Sequence, residues 1–149
     1  MEETKIKQSE EVLAEIYRNC QLALQSISNI LPEVEDEKLR AEIKLQHEEY
    51  EKIGGKTAAL AKDKGIELKE PNPVKKVMMW GSIKMNTLTD NTRPHIAEMM
   101  LQGTLMGITA LRKTESELPS EFADEEIKNL LHDYIEVEER FEKRLKTYL

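Results

Sequence analysis

The sequence predicts an all-α protein built as a four-helix bundle of two antiparallel hairpins. Apolar residues recur every three or four positions along most of the chain, and no run alternates with a period of two. The 149 residues include only 6 glycines and 5 prolines, so few loops are expected. The prolines lie close to the breaks between the periodic segments, which gives each helix a predicted start and end.

The first hairpin comprises helices predicted over residues 8–31 and 35–64. The first helix carries a broad apolar face that includes Val12, Ile16 and Cys20, and Pro32 ends it because the residue before a proline avoids the α region. Gly65 is the predicted stop of the second helix. Its inner stripe is Leu39, Ile43, Gln46, Tyr50, Ile53, Thr57 and Leu60. The short gap between the two helices predicts an antiparallel pair.

The second hairpin comprises helices predicted over residues 93–117 and 122–148, and a short helix over residues 73–88 precedes it. Pro94 fits the first turn of a helix, and Pro119 separates the last two helices. The inner stripe over residues 93–117 is Ile96, Met99, Met100, Gly103, Met106 and Ala110. The stripe over residues 122–148 is Ile127, Leu130, Leu131, Tyr134, Val137, Phe141 and Leu145.

The connection between the hairpins is long enough to travel the length of a bundle, which would make helices 35–64 and 93–117 parallel. That arrangement is the ferritin-like topology with one long crossover. Four segments, 17–24, 45–50, 77–81 and 100–103, resemble the matching parts of a bacterial family of ferritin-like domains of unknown function. The resemblance covers residues 10–147 and implies a single ferritin-like domain over 1–149.

Active ferritin-like di-iron proteins carry Glu-x-x-His motifs on two helices, and this chain has none. Lys44, Thr92 and Asn129 precede the three histidines by three residues, where the motif requires Glu. The weak metal candidates that remain are His47, Glu51, His95, Glu98 and Glu138, for iron, manganese or zinc. In a chain this acidic, the expected interpretation of the histidine–carboxylate pairs is ion pairing on solvated helix faces.

Four polar residues interrupt the inner stripes: Asn19, Gln46, Gln102 and Glu138. Whether they form one buried layer is left open by the sequence. Gln46 and Glu138 are predicted to face inward or line a groove, and a poorly paired Glu138 should have a raised pKa near Tyr, Gln or Lys. The residues predicted to be largely buried are Tyr50, Met99, Met106, Tyr134 and Phe141, with Cys20 as a buried structural thiol.

Gly54 and Gly55 stand in the middle of a predicted helix, followed by Lys56 and Thr57. This run imitates the end of a phosphate-binding loop, but Tyr50 occupies the position where that loop needs a glycine. Each glycine costs about 1 kcal/mol relative to Ala in a helix interior. Close approach of a neighbouring helix, or a local kink, would explain their presence.

Composition argues against nucleic acid binding and against insertion in a membrane. The 29 acidic residues against 22 basic ones give a net charge of −7, which argues against nucleic acid binding through phosphates. The sequence has no apolar run long enough for a membrane span and no secretory signal at its start, so a cytoplasmic protein is expected. One cysteine cannot form an internal disulfide.

The short helix over residues 73–88 has apolar residues on more than one face. Met78, Met79, Trp80 and Ile83 are therefore the predicted contact with a second copy or a protein partner. The function predicted from the sequence is non-enzymatic, acting through oligomerisation or protein–protein interaction. The alternative is a metal-binding or oxidoreductase member with an unconventional, degenerate site.

Overall fold

The computed structural model describes residues 2–68 and 90–149, which contain four α-helices and no strands. Helix α1 spans Glu2–Ile30, α2 spans Glu37–Asp63, α3 spans Arg93–Ser116 and α4 spans Glu125–Lys146. A short 3-10 turn, Leu31–Glu33, follows α1. The all-α class and the number of long helices are confirmed within these ranges.

Local side-chain chemistry sets the helix ends. Asp36 and Asp124 cap α2 and α4, since their carboxylates accept hydrogen bonds from backbone N–H groups three residues later, at 2.8 and 3.2 Å. Gly65 follows α2 with a φ of +69°, a conformation that favours glycine. Pro94 lies in the first turn of α3, as predicted. The capping by Asp124 explains why α4 begins at Glu125 and not at residue 122.

Helices α1 and α2 form a hairpin that is closed by the turn at Leu31–Glu33. Near its middle the Cys20 thiol donates a hydrogen bond to the Tyr50 carbonyl oxygen at 2.9 Å. A Cβ placed on Gly54 would lie 3.3 Å from the Cys20 sulfur. The close approach expected for this glycine pair is therefore present at Gly54, whereas Gly55 has no neighbour within 4 Å of the same position.

Ion pairs between helices define the directions of α2, α3 and α4. Arg144 pairs with Glu42 near the start of α2, and Lys64 pairs with Asp124 at its end, so α2 and α4 are antiparallel. Arg93, the first residue of α3, lies 3.9 Å from the cap of α2 at Asp36. Helices α2 and α3 therefore begin at the same end of the bundle.

The centre of the core is aromatic. Tyr50, Tyr134 and Phe141 are all buried, as predicted. The Tyr50 ring meets Tyr134 at a centroid distance of 6.2 Å and Phe141 at 5.3 Å, both edge to face. This geometry is favourable for aromatic pairs, and it joins α2 to α4 across the bundle.

The inner face of α3 differs from the predicted stripe. Met106 is 71% exposed, so its predicted burial is wrong, and Met99 is only partly buried. The residues of α3 that are buried are Ile96, Ala97, Thr104 and Leu111. At 100° per residue Met106 lies about 200° around the helix from Thr104, which turns most of its side chain away from the buried core.

The predicted short helix over residues 73–88 lies outside the described residues, and so do Met78, Met79, Trp80 and Ile83. Their proposed role in a partner contact stays a prediction. Among the helices described, none is both long enough and apolar enough to cross a membrane.

Candidate functional site

The histidines do not converge on a metal centre. Each pairs with a carboxylate: His47 with Glu51 at 2.9 Å, His95 with Asp90 at 4.0 Å, and His132 with Glu115 at 2.8 Å. Glu98, the predicted partner of His95, is exposed. Within residues 2–68 and 90–149, no three His, Cys, Asp or Glu side chains are grouped so as to hold a metal ion.

Of the four polar residues that interrupt the predicted stripes, Gln46 and Glu138 are buried, as predicted, with 0% and 2% of their surfaces exposed. Gln102 is exposed on α3. Asn19 is half-buried, and its amide donates to the Glu15 carbonyl oxygen of its own helix at 2.9 Å. The four residues therefore do not form one layer.

Glu42 and Arg144 extend the polar centre, and neither is predicted from the sequence. Glu42 is buried and accepts a 3.0 Å hydrogen bond from the Gln46 amide. Arg144 donates to the other Glu42 oxygen through Nε and Nη2, at 3.0 and 2.9 Å. The signal available was the spacing of Glu42, which lies four residues before Gln46 and so on the same inner face of α2.

Glu138 lies at the centre of the bundle beside two tyrosines. Burial raises the pKa of its carboxyl from 4.5 to about 7, because the charged form loses its hydration. Hydrogen bonding from the Tyr50 and Tyr134 hydroxyls favours the carboxylate and opposes part of that rise. Glu138 is therefore poised to change charge near neutral pH.

Three other ionisable groups beside Glu138, namely Cys20, Tyr50 and Tyr134, stay neutral. Burial raises the pKa of Cys20 to about 12, with a hydrogen bond from the Gly54 backbone opposing it and the charge of Glu138 adding to it. Burial, followed by the charge of Glu138, also raises the pKa of both Tyr50 and Tyr134. A thiol with a pKa this high is a poor nucleophile, which favours the predicted structural role of Cys20.

A pocket of about 500 Å³ opens between α1 and α3 and reaches this centre. We call it the α1–α3 pocket. Its walls are mostly apolar or small: Leu22, Ala23, Ile27, Met100, Gly103, Met106, Gly107 and Ala110. Its floor is formed by side chains from α2 and α4, namely Gln46, Tyr50, Tyr134 and Glu138. The volume lies in the range typical of small-molecule sites.

The floor of the α1–α3 pocket carries two acceptors without partners among the described residues. They are Oε2 of Glu138 and Oε1 of Gln46, both fully removed from solvent. Gly107 leaves room above the first of them, since a Cβ added there would lie 3.5 Å from Glu138 Oε2. A buried acceptor without a donor destabilises the fold. A ligand that donates hydrogen bonds to these two atoms would remove that cost.

A second cavity of about 480 Å³ lies beside the start of α4, next to Ile66 and Phe122. Two of its charged groups are already paired, since Lys64 Nζ and Asp124 Oδ2 lie 2.8 Å apart. No buried unpartnered atom among the described residues lines it. The α1–α3 pocket is therefore the stronger candidate.

Comparison of the chain with protein-family models, curated proteins and solved structures found no match.

Proposed function

We propose that this chain is a non-enzymatic, ferritin-like four-helix protein that acts by binding a small, mainly apolar ligand in the α1–α3 pocket. The observation that carries the proposal is Glu138, a buried carboxylate that lines the pocket with one oxygen unpartnered among the described residues. Binding sites of this kind combine apolar walls with a few convergent polar groups.

The ferritin-like topology is supported by the directions of the helices. Helices α2 and α3 begin at the same end of the bundle, at Asp36 and Arg93. A helix with the 27 residues of α2 is about 40 Å long. In the proposed topology, residues 64–92 return along that length as a crossover.

The test is an NMR titration of the full chain with 1-hexanol and toluene, two small apolar probes that carry no charge. We expect saturable shifts confined to residues that line the α1–α3 pocket. Gly107→Leu should abolish them by filling the space above Glu138, whereas Gly55→Leu, on the exposed side of α2, should leave them unchanged. Shifts that persist in Gly107→Leu, or that are absent from the wild type, would contradict the proposal.

A second candidate is association with a protein partner or another copy of the chain through α3. Leu105 and Met106 are 41% and 71% exposed, and Met106 also lines the α1–α3 pocket. Neighbouring exposed apolar side chains of this kind favour a contact surface.

A further inference from the structure

We propose that the floor of the α1–α3 pocket binds the ammonium group of a small apolar monoamine, with Glu138 as its counter-ion. This inference rests on the proposed function, because it names the class of ligand that the same pocket takes.

The charge of Glu138 has no cationic partner among the described residues. The groups that act on its carboxyl are the surrounding apolar atoms and two neutral tyrosine hydroxyls. Arg144 is held by Glu42, and Arg18, which also lines the pocket, pairs with Glu15. A buried carboxylate is stable in its charged form only when it is paired, so a bound cation would stabilise the charged form of Glu138.

The hydrogen-bond polarity of the floor indicates a donor. Both unpartnered atoms, Glu138 Oε2 and Gln46 Oε1, are acceptors. An ammonium group has three N–H donors and a positive charge, so it can donate to Glu138 Oε2 and balance the carboxylate, with N–H groups left for a further acceptor such as Gln46 Oε1. A hydroxyl offers a single donor and no charge, and an anionic group would be repelled.

The lining also limits the ligand to one charge. Glu138 is the only acidic side chain among the described residues that line the pocket, and most of the wall residues above it are apolar or small. The polar wall residues are Arg18, Asn19, Ser26 and Thr104. A second ammonium group, as in a diamine or polyamine, would find no second carboxylate in this lining and would share it with the cation of Arg18. The expected ligand is therefore a monoamine with an alkyl or aryl body.

Binding should depend on pH. The titratable groups that face Glu138 are Cys20 on α1, Tyr50 on α2 and Tyr134 on α4, whereas α3 presents Thr104 and Gly107. The first three have raised pKa values and stay neutral at pH 8. Glu138 alone ionises with a pKa of about 7. An amine of pKa near 10 should bind more tightly as the pH rises from 6 to 8.

The experiment is a calorimetric or NMR titration at pH 8 with n-hexylamine, 1-hexanol and hexanoate, which differ only in the head group. We expect the wild type to bind n-hexylamine at least tenfold more tightly than 1-hexanol and to bind hexanoate most weakly. Glu138→Gln should remove the preference for the amine. Glu136→Gln is the matched control, because it makes the same change at an exposed position of the same helix.

The outcomes separate this inference from the proposed function. Equal binding of n-hexylamine and 1-hexanol would overturn the amine assignment and leave the pocket as an apolar site. If Glu138→Gln keeps the preference for the amine, that preference comes from the net charge of −7 and not from Glu138. This outcome would also overturn the inference. Absence of binding by all three probes would overturn both.

Discussion

Burial of Glu138 should make the free energy of unfolding depend on pH. Its pKa rises from 4.5 to about 7 on folding, so the charged form is disfavoured in the folded state. The contribution of Glu138 to the free energy of unfolding is fully present below pH 4.5, and it is lost as the pH rises through 7. The predicted loss is about 3 kcal/mol. Urea unfolding of Glu138→Gln should show a gain of up to that size over the wild type at pH 8 and little difference at pH 5.

Other carboxylates titrate in both proteins, so the difference between wild type and Glu138→Gln isolates this one side chain. Glu136→Gln, at an exposed position two residues away, should follow the wild type at every pH. A Glu138→Gln variant that is no more stable than the wild type at pH 8 would contradict the destabilisation expected from a buried, unpaired carboxylate.

Phe141 should be among the most costly residues to truncate. Its side chain is 1% exposed, and its ring lies edge to face on Tyr50 at 5.3 Å. Phe141→Ala should lower the free energy of unfolding by about 3–5 kcal/mol, through lost burial and the cavity left behind. The control is Leu149→Ala at a position that is 55% exposed, where a change below about 0.5 kcal/mol is expected. A loss below about 1 kcal/mol for Phe141→Ala would be inconsistent with this core.

At the scale of a single element, the two neighbouring glycines of α2 should respond in opposite ways to alanine. Gly55→Ala meets nothing within 4 Å and should gain about 0.5–1 kcal/mol from helix propensity. Gly54→Ala places its methyl group 3.3 Å from the buried Cys20 sulfur, which is itself held by the 2.9 Å hydrogen bond to Tyr50. That crowding should cancel or reverse the gain, as measured by thermal and urea unfolding.

A double-mutant cycle tests the cause. In a Cys20→Ala background the sulfur is gone, so Gly54→Ala should become as favourable as Gly55→Ala. Equal stabilisation by both substitutions in the wild-type background would show that the Cys20 side chain moves aside without cost.

The elements differ in how well their sequences specify which face is buried. In α4 the apolar residues occupy one stripe with polar residues elsewhere, and the residues predicted to face inward, from Ile127 to Leu145, are all buried. In α3 apolar residues occur around much of the helix. Hydrophobicity therefore predicts that Met106 faces inward, whereas Thr104 is buried and the small Gly107 lies beside Glu138.

The candidate site could be predicted only in part from the sequence, because part of it depends on how the helices pack. Glu138 and Gln46 could be recognised because each interrupts an apolar stripe. The pocket above them depends on how far apart α1 and α3 lie, and that distance is set by packing between segments remote in the chain. The pairing of Glu42 with Arg144, 102 residues apart, is likewise a property of the assembled bundle.

At the scale of the whole molecule, the exposed apolar side chains of α3 should cause self-association. Leu105 and Met106 are adjacent and exposed, and covering them would remove apolar surface from water. Sedimentation equilibrium of the wild type should show a concentration-dependent dimer, and Met106→Glu should weaken it at least tenfold without changing the helical circular dichroism signal.

Leu149→Glu provides the matched control for that experiment, since it introduces the same charge at another exposed apolar position, after the end of α4. It should leave the dimer intact. Equal weakening by both variants would attribute the effect to the added negative charge on a chain that already carries −7. A wild type that stays monomeric throughout would remove self-association through α3, and the α1–α3 pocket would then be the one binding surface that the described residues support.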